Sequence, residues 1–118
     1  MGLTDVTVIV SNPADPSRAH TLEFLVDSGA IYSVVPRPIL DEIGVVPVGV
    51  ERFKLADLTR IQREVGNAFF TFQGKTRSSP VMFGEEGDAT LLGVLTLEAL
   101  GLVLDPVRQE LRPMELRI

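Results

Sequence analysis

The stretch Leu22-Glu23-Phe24-Leu25-Val26-Asp27-Ser28-Gly29-Ala30 constrains this chain more than any other. Five residues of strand-like character, Leu22 to Val26, deliver one carboxylate into a tight Ser-Gly turn. Asp and Gly are poor strand residues, and both suit a turn where the backbone passes close to something else. The small residues after Asp27 leave room for a second backbone to approach. An acid placed this way is often only a surface turn residue, but the turn that follows Asp27 favours chemistry over packing.

Composition sets the frame around that turn. The chain has 118 residues, 45% of them apolar, which is enough for one folded domain over residues 1–118 and too little for two cores. Its formal net charge is −5, and its Lys and Arg residues are scattered singly. Nucleic acid and anionic membranes, which select clustered basic faces, are therefore not expected as partners. There is no Cys, and the single histidine, His20, reads as a surface residue. Neither a thiolate site nor a multi-histidine metal site follows, so no metal is expected. The N-terminus shows no basic segment followed by an apolar run, and no stretch has the roughly 20 apolar residues of a spanning helix. A soluble, cytoplasmic protein is the expectation.

Along the chain the pattern is mostly strand. Val6 to Val10 and Ala19 to Val26 form a hairpin around the turn-rich residues 11–17, and Ile31 to Val35 is extended again. A short helix over Pro38 to Ile43 ends on Gly44 as its C′ residue. Extended segments Val45 to Val50 and Glu51 to Ala56 follow, then a hairpin turn at Asp57-Leu58-Thr59-Arg60. Ile61 to Phe72 reads as a long strand, bent or bulged at Gly66, and Phe69, Phe70 and Phe72 are mostly core. Gln73-Gly74-Lys75 turns the chain into Thr76 to Phe83, and residues 84–88 form a solvated acidic loop carrying Glu85, Glu86 and Asp88. Thr90-Leu91-Leu92 is a short buried strand, Gly93 opens a helix to about Leu100, and a closing hairpin and tail run to Ile118. Leu40 to Val46 echoes Leu97 to Val103 in its apolar and glycine positions, a helix–Gly–strand pattern seen twice.

One carboxylate does not easily serve as acid and base in the same step. Two within hydrogen-bond range do, because like charges resist joint ionisation and the pair shares a proton. No other Asp of this chain sits in a comparable turn after an apolar strand. Two-fold self-association supplies the partner, since an isologous contact sets a residue opposite itself.

With those residues in view, Leu25-Val26-Asp27-Ser28-Gly29-Ala30 resembles the active-site signature of aspartic proteases. Leu91-Leu92-Gly93 before a helix resembles the second-half motif of their retropepsin-like branch, which includes retroviral proteases and short stand-alone bacterial and archaeal homologues. The chain is most similar to the short homologues, over about Val6 to Pro113. The resemblance implies an all-β fold with two short helices, closed as a retropepsin-like acid-protease barrel with its active site at a homodimer interface. It implies an endopeptidase acting through an activated water, with Asp27 catalytic and without cofactor. By the same resemblance Ser28 and Gly29 brace the pair of carboxylates, and Gly29 and Ala30 lie under a peptide substrate. Leu91, Leu92 and Gly93 are then structural. The hairpin from Leu55 to Ile61 is the flap, with Leu55, Ala56, Asp57 and Leu58 against the substrate. Its tip has no glycine, unlike the glycine-rich tips usual in retroviral flaps. That departure leaves an alternative: a peptide-binding or dimerisation module that keeps the fold without turnover.

Overall fold

The computed structural model describes residues 4–115, and everything below concerns those residues. Strand β1 (Asp5–Asn12) places Val8 and Val10 inward and Thr7 and Ile9 outward, the period-two pattern of a half-buried strand. It pairs antiparallel with β2 (Asp15–Val26), from Asp5↔Leu25 to Ser11↔Ala19. The reversal is tighter than the composition of residues 11–17 suggests. Only Pro13 and Ala14 lie between the strands, because Asn12 Oδ1 accepts the Ala14 N–H at 2.8 Å and closes the turn at once.

After β2 the chain loops through residues 27–32 before β3 (Ser33–Pro36) and helix α1 (Arg37–Glu42). Ile31 and Tyr32, expected as strand, belong to that loop. Gly44 has φ +83°, and Val45 N donates to Leu40 O (2.9 Å) while Gly44 N donates to Asp41 O (3.1 Å), the paired bonds of a glycine C-cap. The matching Gly101 after α2 (Val94–Ala99) has φ +68°, so the repeated pattern in the sequence is two short helices ended the same way.

Strand β4 (Gly49–Lys54) begins later than expected, and residues 45–48 run beside β5 (Arg60–Phe72) outside any ladder apart from Val48 N to Val65 O at 2.8 Å. The bulge expected at Gly66 is absent. The pairing of β5 with β6 (Lys75–Gly84) runs in unbroken register from Val65↔Met82 to Phe72↔Lys75. Glycine stands at 66 for another reason: a Cβ there would lie 2.9 Å from Val46 O and 3.3 Å from the Phe83 ring. The β5–β6 turn, Gln73-Gly74, has positive φ at both residues, the geometry that matches the twist of a two-residue hairpin.

The seven strands pair in the order β1-β2-β7-β3-β6-β5-β4, with β7 being Leu91–Leu92. β1 also pairs with β5 through Ile9↔Thr71 and Val10↔Phe70, so six strands close a ring and β4 hangs on its outside. Val8, Val10, Phe24, Phe70, Phe83 and Leu92 fill the ring, and Phe24 meets Phe70 edge-on at 6.1 Å. Each such side chain contributes about 1.5–3 kcal/mol by leaving water. A separate hairpin of β8 (Leu102–Asp105) and β9 (Glu110–Pro113) lays Leu102, Leu104 and Leu111 against this core. The end of the expected tail, residues 116–118, lies outside the described residues. No described helix is long and apolar enough to cross a membrane.

Candidate active site

Strand β7 settles where the Asp27 turn sits. It pairs parallel with the end of β2 (Leu25↔Leu91, Val26↔Leu92) and antiparallel with β3 at Val34↔Leu91. The loop 27–32 therefore leaves one side of β7 and returns on the other, passing over the end of β7 at Gly93. A Cβ on Gly93 would stand 2.6 Å from both C and O of Tyr32 and 2.9 Å from Ile31 O, so only glycine fits beneath this crossing. Asp27 N donates to Leu92 O at 3.0 Å, which fixes the residue at the moment the strand ends.

The turn is closed by Ala30 N donating to Asp27 O (3.1 Å) and Gly29 N donating to Asp27 Oδ1 (2.9 Å). Asp27 itself is half-buried, with Ser28 and Gly29 exposed beside it. One carboxylate oxygen is thereby oriented by the backbone. Among the described residues no hydrogen bond or ion pair joins the Asp27 carboxylate to another acid. Beyond the turn, Ala30 O and Ile31 O accept the first free N–H groups of α2, from Val94 (2.8 Å) and Leu95 (3.1 Å). A helix start without a side-chain cap is thus satisfied by the loop that carries the acid.

A buried chain of hydroxyls locks the same junction. Gly93 N can only donate, and it donates to Ser33 Oγ at 2.9 Å. Ser33 Oγ lies 2.5 Å from Thr96 Oγ1, which lies 2.9 Å from Ser79 Oγ, and Ser79 donates on to Pro80 O at 3.3 Å. The consistent direction runs from Gly93 through β3 and α2 to β6. Ser33, Thr96 and Ser79 are all buried. Sequence reasoning passed over them, and the available signal was a lone polar residue in two otherwise apolar segments, Ser33 within residues 31–35 and Thr96 within residues 94–97, while Ser79 follows other polar residues and carries none.

The structure thus brings Asp27, Ser28, Gly29, Ala30, Leu91, Leu92 and Gly93 together as one unit. The residues expected to form a flap stand apart from it. No hydrogen bond, ion pair or aromatic contact joins Leu55, Ala56, Asp57 or Leu58 to Asp27 among the described residues. Their turn also starts two residues earlier than expected and ends one residue earlier. Pairing of Lys54 with Arg60 leaves residues 55–59 for the loop, where Leu58 N donates to Leu55 O (2.9 Å) and Leu55 N to Thr59 O (2.8 Å). Leu58 takes φ +70°, a left-handed conformation costly for leucine. Asp57 Oδ1 accepts the Thr59 N–H at 2.9 Å, and hydrogen bonding from Thr59 holds the Asp57 carboxyl below the ordinary carboxylate range.

At the root of the β4–β5 arm, charge does what backbone pairing does not. Residues 60–64 of β5 pair only with β4, and β6 joins the strand at Val65. Across that gap Arg63 holds Asp88 through two bonds of 2.7 and 3.0 Å. Arg37 bridges Glu64 (2.5 Å) and Glu85 (3.0 Å) while lying over the Phe83 ring at 4.9 Å. The Arg63 hydrogen bond depresses the Asp88 carboxyl, and the bonds to Glu64 and Glu85 raise Arg37. The acidic loop is exposed at Glu85, Glu86 and Gly87 as expected, and arginine holds two of its three acids, Glu85 and Asp88. His20 lies near the surface, its Nδ1 3.6 Å from Glu42.

Below the Asp27 turn a cavity of about 250 Å³ is lined by Ser28, α2 side chains Val94, Leu97 and Glu98, and residues of the β8–β9 hairpin. Its walls are mostly apolar.

The arrangement is an acid delivered by a strand into a turn pinned under a Leu-Leu-Gly segment, within a mainly β fold. Among solved structures 17 chains match this one. One of them is the foamy viral protease-reverse transcriptase, solved in complex with an RNA/DNA hybrid, at TM-score 0.57 and 16% sequence identity. The alignment covers 98% of this chain and 13% of that one, and at this identity it establishes the fold alone. No protein-family model and no curated protein sequence matches the chain.

Proposed function

We propose that this chain is a retropepsin-like aspartic endopeptidase that works as a homodimer, with Asp27 of each copy meeting across a two-fold axis. The observation that carries the reading is the seating of the Asp27 turn, clamped by Leu92 O, Gly93 and the start of α2. The fold likeness to a viral protein named as a protease supports it. The two carboxylates share one proton. The ionised member takes a proton from water as the water oxygen bonds to the peptide carbonyl carbon, and the protonated member gives its proton to the carbonyl oxygen. The diol intermediate then passes a proton to the amide nitrogen as the C–N bond breaks, and no covalent enzyme intermediate forms. Ser28 and Gly29 brace the pair, and the arm carrying Leu55, Ala56, Asp57 and Leu58 covers an extended, preferentially apolar peptide.

The test pairs a peptide-library assay with sedimentation, on wild type and Asp27→Asn. Wild type is expected to be dimeric, to cleave, and to be blocked by a pepstatin-type inhibitor, while Asp27→Asn stays dimeric and inert. Cleavage that survives Asp27→Asn overturns the assignment. A dimer that binds peptides across the pH range and cleaves none leaves the module reading in its place.

A further inference from the structure

The β4–β5 arm reaches back to the active-site loop through an aromatic pair: the Tyr32 ring meets the Phe53 ring edge-on, centroids 5.5 Å apart and planes at 82°. Tyr32 ends the 27–32 loop, and its carbonyl sits against Gly93. Phe53 belongs to β4, the strand at the end of the sheet order, bonded to β5 and to no other strand. Neither ring is part of the buried core or of the apolar residues packed on it. Two half-buried aromatics that leave the core alone and meet each other join two segments the backbone does not join.

We infer that the Tyr32–Phe53 pair is a latch that holds the β4–β5 arm against the 27–32 loop before any substrate is bound. Both are positioning residues, and the inference rests on the peptidase reading above for its functional consequence. Edge-to-face geometry sets the positive rim of one ring against the negative face of the other, so the contact is directional as well as apolar. The ion pairs of Arg37 and Arg63 fix the arm at its root, leaving this contact to fix it further out. Releasing the latch lets the arm swing about that root. The ground state then opens, substrate is held less well, and the chemistry at Asp27 is untouched once the arm has closed.

Tyr32 is the only tyrosine and the chain has no tryptophan, so its near-ultraviolet circular dichroism reports on this one ring. Phe53→Leu keeps an apolar side chain and removes the ring. It is expected to flatten the tyrosine band, to speed amide exchange over Gly49–Lys54, and to raise KM about 2- to 10-fold with kcat nearly unchanged. Tyr32→Phe keeps the ring and is expected to hold both exchange and KM at wild-type values, whereas Tyr32→Leu reproduces Phe53→Leu. An unchanged tyrosine band and unchanged exchange in a folded Phe53→Leu protein overturn the latch, as does opening of the arm by Tyr32→Phe. If band and exchange respond as stated while no peptide is cleaved by wild type, the latch stands and the peptidase reading falls.

Discussion

Replacing Gly93 by alanine tests the crossing on which the candidate site depends. Gly93 has φ −96° and ψ 178°, extended backbone that alanine adopts without strain, so any loss comes from the added methyl group. That methyl would meet Tyr32 C and O at 2.6 Å, and restoring ordinary contact at 3.4 Å moves the loop by about 0.8 Å. The same shift takes the Val94 N to Ala30 O and Leu95 N to Ile31 O bonds, now 2.8 and 3.1 Å, beyond hydrogen-bond range. Overpacking costs about 1–3 kcal/mol and each lost bond about 0.5–1.5 kcal/mol. The reduced freedom of the unfolded alanine chain returns about 0.4–1 kcal/mol. A net loss near 3 kcal/mol is expected, or a fall in Tm of about 12 °C, from a total stability of about 5–15 kcal/mol. Urea and thermal unfolding measure it. Gly74→Ala is the control: φ is +83° there and nothing lies within 4 Å of the new Cβ, so only the left-handed cost of about 1–2 kcal/mol applies. A Gly93→Ala protein that loses less than its Gly74→Ala counterpart refutes the close crossing.

Thr96→Val removes the middle hydroxyl of the Ser33–Thr96–Ser79 chain and strands the Ser33 proton, a loss of about 1–3 kcal/mol in urea unfolding. Thr96→Ser keeps the hydroxyl and should recover most of it. Leu58→Gly relieves a left-handed leucine worth about 1–2 kcal/mol against about 0.5–1 kcal/mol of added unfolded-chain entropy. A neutral to slightly stabilised protein is expected, and a clear destabilisation shows that the exposed Leu58 side chain is held by something else. The Asp88 carboxyl is depressed by its Arg63 hydrogen bond, so its contribution to stability is present above the unfolded value of about 3.9 and is lost as pH falls through the lower folded value. Acid titration of stability should therefore show a loss below about pH 4 that Asp88→Asn makes smaller, the remainder belonging to other depressed carboxyls such as Asp57. A loss of unchanged size in that variant refutes the contribution of Asp88.

The legible part of this molecule is the part encoded locally. Asp27 in its Ser-Gly turn, the glycine after each helix and the Gln73-Gly74 hairpin are each written within a few consecutive residues, and each stands where the sequence places it. The misplaced features depend on partners far along the chain. Gly66 reads as a bulge because nothing near it in sequence shows that Val46 O will press on it from another segment. The β4–β5 turn shifts because its position is set by the pairing of Lys54 with Arg60, a register no dipeptide encodes. Ser33, Thr96 and Ser79 are ordinary polar residues until three elements bring their hydroxyls into line. The threading of β7 through the Asp27 loop joins both kinds of information. Leu91-Leu92-Gly93 is a short local word, yet it acts at a distance, since its glycine is what lets the loop carrying the acid cross above it. A change at Gly93 therefore reaches Asp27 through backbone, without any side chain between them, and the two motifs form one structural unit although 64 residues of chain lie between Asp27 and Leu92.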